Sequence, residues 1–219
     1  MVTTGFSKPY VAKYGTSSGA ASNTYTNGMA LGRGVNVTVE VDAGDDNNFY
    51  ADNVIAETAA AQFTSATGTV TVDGLENAAA SLILGLPAPT SFEVETSESV
   101  QMQGYGGTMD PPYVGFAYIR RTMMNGVTSY YPVIHPKVRF SIPSDSAATQ
   151  EDQIDWQTQE LSATVLRDDT TASNWKLTTA EGCETEAEAE AVIKKYFNIA
   201  DALNVQTNSV TTTPSEEDE

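Results

Sequence analysis

The sequence predicts an α+β fold that is mainly β, a β-sandwich or a partly closed β-barrel carrying two helices. Three observations lead there. Thr and Val number 28 and 19 against 9 Leu, and β-branched side chains suit a pleated, half-buried surface better than a helix. Apolar and polar residues alternate strictly through Val35–Val41 and Gly68–Val72, the period of a strand with one covered face. Helical spacing is confined to two stretches, each opened by a start signal.

Taken in order, Pro9–Tyr14 is the first expected strand, and the Gly/Ser/Thr/Asn-rich Gly15–Gly28 reads as a loop. Val35–Val41 places four valines on one face. Asp42–Asn48 is a polar turn, and Phe49–Glu57 resumes an extended course. After Gly68–Val72, Asp73-Gly74-Leu75-Glu76 opens a helix in which Asp73 is the expected cap and Glu76 closes a capping box. Leu75, Ala79, Leu82, Ile83 and Leu86 fall on one face, and Gly85 with Pro87 stops the helix. Phe92–Thr96 is a short strand and Ser97–Pro112 is irregular.

Val114–Thr122 and Val127–Ile134 flank Asn125-Gly126, a strong two-residue hairpin signal. Lys137–Ile142 is expected as a third strand. Ile154–Leu166 is a further strand whose apolar phase shifts between Trp156 and Leu161, which implies a bulge. Thr185 and Glu188 form a second capping box, with acids early and Lys194 and Lys195 late, matching the helix dipole. Ala189, Val192, Ile193, Tyr196, Phe197 and Ala200 make its buried stripe. One domain is expected over residues 1–206, with residues 207–219 a disordered acidic tail.

Charge narrows the function classes. The chain has 29 acidic and 11 basic residues, a formal net charge of −18. Residues 1–110 and 111–219 each carry −9, so the acidity is not confined to the tail. Binding to phosphate backbones draws its affinity from cations that release counterions, so specific nucleic-acid binding is not expected. Anionic membrane surfaces are disfavoured for the same reason. The stretch Ala78–Leu86 is too short to cross a bilayer, and Met1–Tyr10 lacks the apolar core of a secretory signal. A protein made in the cytosol is the expectation.

No catalytic set emerges. Cys183 is the single cysteine, which excludes an intrachain disulfide and a multi-thiolate metal site. His135 is the single histidine and no nucleophile-elbow motif accompanies it, so it reads as a strand residue beside Pro136. The oxygen-rich run Asp42, Asp45, Asp46, Asn47, Asn48 and Asp52 lacks EF-hand spacing and reads as a solvated turn. Glu93 and Glu95 share a strand face, but nothing else suggests carbohydrate chemistry. No cofactor is expected, and Gly32-Arg33-Gly34 is not a dinucleotide fingerprint because it lacks a third Gly and precedes a strand.

Several blocks, in order, resemble the major tail protein family, the tail-tube subunits of long non-contractile-tailed phages, in the branch that infects Gram-positive hosts. They are Tyr10-Val11-Ala12-Lys13-Tyr14, Val35–Val41 with Asp42–Asn48, Phe49-Tyr50-Ala51-Asp52-Asn53 with Glu57, and Gly68–Leu75 leading into the helix that ends Leu84-Gly85. Tyr113-Val114-Gly115-Phe116, Tyr131-Pro132-Val133 and Trp156-Gln157-Thr158 follow. The resemblance spans positions 9 to 180 and implies the tail-tube type of β fold. It also implies a structural virion protein that self-assembles into stacked hexameric rings. Those rings would be the conduit for DNA ejection, with tape measure and tail terminator proteins as further partners, no membrane and no specific DNA contact. On this reading Glu40, Glu93 and Glu95 are candidates for an acidic channel wall that phosphate does not adhere to. A Thr-rich β-sandwich binding module of a bacterial surface or secreted protein stands as the alternative.

Overall fold

The computed structural model describes residues 1–15, 21–94, 99–107, 109–144 and 157–199. Glu95, Trp156, Ala200 and the 207–219 tail, all given roles above, lie outside the described residues. Among the described residues the chain is mainly β with two helices, in several antiparallel sheets, none closed into a barrel. The expected α+β, mainly β class holds, and the arrangement is compatible with its sandwich form.

Among the described residues twelve strands form, in chain order. They are β1 (Val2–Gly15), β2 (Thr24–Ala30), β3 (Gly34–Ala43), β4 (Asn47–Ala51), β5 (Val54–Ala59), β6 (Phe63–Val72), β7 (Thr90–Glu93), β8 (Ser99–Met102), β9 (Val114–Met124), β10 (Val127–Phe140), β11 (Gln159–Leu166) and β12 (Leu177–Thr178). The helices are α1 (Asn77–Leu84) and α2 (Glu186–Tyr196). The large sheet has the order β2-β1-β9-β10-β11-β6-β3, with β12 added beside β10. Pairs β4-β5 and β7-β8 are separate two-stranded ribbons.

Both faces of the large sheet are covered. On one face Val11, Val70, Phe116, Phe140 and Leu161 pack with Ala79, Ile83 and Leu84 of α1. On the other Tyr10, Ala12, Ile119 and Ile134 pack with Ala189, Ile193 and Phe197 below α2. Residues of alternate parity on β1 and β9 therefore face opposite cores, which is why these strands read as near-continuous apolar runs. The start of β3 approaches β1, where a side chain at Gly34 would run into the Phe6 ring. The sheet curls without closing.

Several expectations are corrected. Thr24–Gly28 is not loop but most of β2, paired with β1 from Tyr10–Ala30 to Gly15–Thr24. The ladder supplies the hydrogen bonds that turn-rich composition alone does not suggest. Ser99–Met102 within the expected irregular stretch is strand β8. Lys137–Ile142 is no third strand, because Lys137–Phe140 continues β10. β10 passes through Pro136 with a register shift between His135 and Val138, the kind of bulge that tolerates a missing donor. Asp73 does not cap α1, whose N-cap is Glu76 without a side-chain bond. Asp73 instead accepts from Arg33 N–H at 2.9 Å and pairs with Arg33 Nε at 2.6 Å. Of the four valines in β3, Val37 and Val39 pack against the core while Val35 and Val41 are exposed. A register shift between Gly34 and Asn36 takes Val35 out of phase.

Other expectations agree with the structure. Gly85 ends α1 in the left-handed region at φ 62, and Asn125-Gly126 turns β9 into β10 with φ of 50 and 80. Thr185 and Glu188 make the capping box of α2.

Candidate assembly surfaces

The β3–β6 pair does not end where the sheet ends. Its register runs from Gly34–Val72 to Ala43–Phe63, and after the short break at 44–46 the β4–β5 ribbon resumes with Asn47 opposite Ala59. Ala61 N–H donates to Asp46 Oδ1 at 2.7 Å and Thr58 Oγ1 to Asn48 Oδ1 at 2.7 Å, bracing the base of the projection. Asp52 and Asn53, with φ of 51 and 65, form the tight reversal that two positive-φ residues favour. Phe49, Tyr50, Val54 and Ile55 are 64%, 61%, 63% and 53% exposed. Those values mean that no apolar surface among the described residues covers them. Phe49 stands opposite Glu57 and Tyr50 opposite Ile55, with a register shift between, so apolar side chains occur on both faces of the ribbon.

The β7–β8 ribbon repeats the pattern with Phe92, Val100 and Met102 exposed. A bond of 2.7 Å from Gln103 Nε2 to the Pro87 carbonyl ties its end back to the chain after α1. A third exposed apolar group sits where β1, β9 and β10 end together: Val2 pairs with Met123, and Met124 with Val127.

Sequence reasoning missed the first two surfaces as surfaces. A signal was present: Phe49-Tyr50 and Val54-Ile55 are adjacent apolar pairs on either side of Asp52-Asn53. Such pairs break period-two alternation and put apolar side chains on both sides of a strand.

Charge is segregated by strand. Residues 34–119 contain 12 acids and no Lys, Arg or His, whereas residues 1–39 and 111–144 contain no acid. The sheet therefore has an acid-free portion, β2-β1-β9-β10, and a cation-free one, β6-β3 with its ribbon. Division at residue 110 splits the net charge equally and hides this.

Of the candidate channel residues, Glu40 is exposed on β3 opposite Thr67, and Glu93 is exposed on β7 opposite Ser99. They lie in different sheets, and no sheet face holds both.

His135 is 1% exposed. Its ring lies among those of Phe116, Tyr118 and Trp175, with centroids 6.0–6.3 Å away, and Nε2 has no hydrogen-bond partner. Burial holds its pKa down to about 4, with the Lys176 charge adding to the effect against the Trp175 carbonyl bond. A ring so enclosed reaches no substrate. The Cys183 thiol is pushed up by burial and by the Glu188 charge, the opposite of an activated nucleophile. Cys183 also exchanges backbone hydrogen bonds of 2.8 and 3.0 Å with Tyr130. Among the described residues no three His, Cys, Asp or Glu side chains gather in metal-binding geometry, and no helix is long and apolar enough to cross a membrane.

Compared with known proteins, the chain matches no family model, and no curated protein matches it.

Proposed function

We propose that this chain is a structural virion protein, a tail-tube subunit that self-assembles into stacked hexameric rings and forms the conduit for DNA ejection in a long non-contractile phage tail. The observation that carries the reading is the β4–β5 ribbon, a braced extension of a sheet edge whose large apolar side chains are more than half exposed. Exposed apolar surface of this kind marks contact with another molecule. The β7–β8 ribbon and the β1/β9/β10 end supply two more such places.

The acidic balance supports a conduit for DNA in place of a binder of it. Glu40, and Glu93 with Glu95, are proposed to face the channel, where repulsion acts only within about 8 Å at physiological salt. Tape measure and tail terminator proteins are the proposed heterologous partners, and no enzyme activity or cofactor belongs to the proposal.

Electron microscopy of the purified protein across a concentration series tests it. Rings or tubes of uniform diameter are expected. A monomer at every concentration, with the fold intact by circular dichroism, overturns the proposal.

A further inference from the structure

We infer that the β4–β5 ribbon of one copy docks on the shared end of β1, β9 and β10 of a second copy. This rests on the self-assembly reading and names the two surfaces that meet. The ribbon offers Phe49, Tyr50, Val54 and Ile55 among acids, and no cation lies anywhere between Gly34 and Ile119. The β1/β9/β10 end offers Val2, Met124 and Val127 beside Arg121, within strands that contain no acid. Arg121 is exposed and forms no ion pair among the described residues, unlike Lys8, Arg33, Lys137, Arg139 and Lys194. Arg120 beside it lies over the Tyr131 ring with its Nε buried and unpartnered. One surface is apolar and acidic. The other is apolar and carries Arg121, exposed and without an ion pair among the described residues although Glu184 and Glu186 follow Cys183 on the far side of β10.

Neither surface complements its own copy, so each contact joins one surface to the other. On the self-assembly reading they pair head to tail, which closes into a ring or continues as a filament. The registers favour a ring. From β9 through β10, β11 and β6 to β3 every neighbour is antiparallel, so β3 and β9 run in the same sense. The ribbon that continues β3 and the turn that ends β9 therefore leave the same end of the sheet. Joining one to the other sets successive copies side by side.

The test is a charge swap across the pair. Asp45→Lys with Glu57→Lys reverses the ribbon, and Arg121→Glu with Met124→Glu reverses the strand ends; all four positions are exposed. Each double variant alone is expected to keep the wild-type melting temperature and to raise the concentration needed for assembly by at least roughly tenfold. An equimolar mixture is expected to assemble again, because each reversed surface then meets its complement on the other variant. If wild type assembles and either variant assembles equally well, or if both fail and the mixture does not recover, this pairing is overturned while the tube reading stands. A wild type that never assembles overturns both.

Discussion

The Nδ1 of His135 lies 3.2 Å from the carbonyl oxygen of Trp175, which fixes Nδ1 as the protonated nitrogen and leaves Nε2 bare in an aromatic core. A proton added to Nε2 would place an unpaired charge among Phe116, Tyr118 and Trp175. The folded pKa of about 4 lies below the ordinary 6.5, so between those values the unfolded chain binds more protons. Stability from this residue is fully present above pH 6.5 and is lost as pH falls towards 4, by about 3 kcal/mol in all. Denaturant midpoints compared between pH 7 and 4.5 should fall less in His135→Leu than in wild type. Equal slopes would place the acid sensitivity elsewhere.

Thr185 Oγ1 accepts from the Glu188 amide at 3.2 Å while Glu188 Oε2 accepts from the Thr185 amide at 3.3 Å. Thr185→Ala should cost about 1 kcal/mol and Thr185→Ser much less. Because α2 covers one of the two cores, the loss should appear in the global unfolding transition and not only as local fraying of amide protection.

At Gly85 a Cβ would strike the Asp110 carbonyl in addition to demanding a left-handed residue, whereas one at Gly74 meets nothing within 4 Å. Gly85→Ala is expected to destabilise by more than about 1 kcal/mol and Gly74→Ala by less than about 0.5 kcal/mol. Thermal unfolding of the two variants side by side decides it.

Buried Asp168 accepts from Asn23 Nδ2 at 2.9 Å, Thr170 Oγ1 at 2.8 Å and the Thr170 and Asn174 amides at 3.3 and 3.0 Å. Replacing it with Ala strands those donors and should cost about 3 kcal/mol, with Asp168→Asn intermediate. A cost under about 1 kcal/mol would mean that water takes over the donors.

The parts of the fold that were legible in the sequence are those set by local chemistry. Asn125-Gly126, Thr185 with Glu188, and Gly85 each determine the backbone within four residues of themselves, and each appears as read. Long-range pairing was not legible. Thr24–Ala30 becomes strand only because β1 offers an edge, and Pro136 sits inside β10 only because a bulge at His135 absorbs it. Asp73 had a good local role as a cap, but Arg33, 40 residues earlier, took it. The β4–β5 ribbon was visible as adjacent apolar pairs; that it stays uncovered is a property of the folded chain.

Residues 34–119 lack both lysine and arginine, and they include both ribbons, whose residues are exposed nearly throughout. Trypsin needs one of those cations at its cleavage site, so it cannot cut either ribbon however freely it reaches them. Proteases that act after aromatic or glutamate residues can, at Phe49, Tyr50, Glu57 or Phe92. A digestion that contrasts the two specificities thus reads whether the ribbons are covered, in solution and without any label.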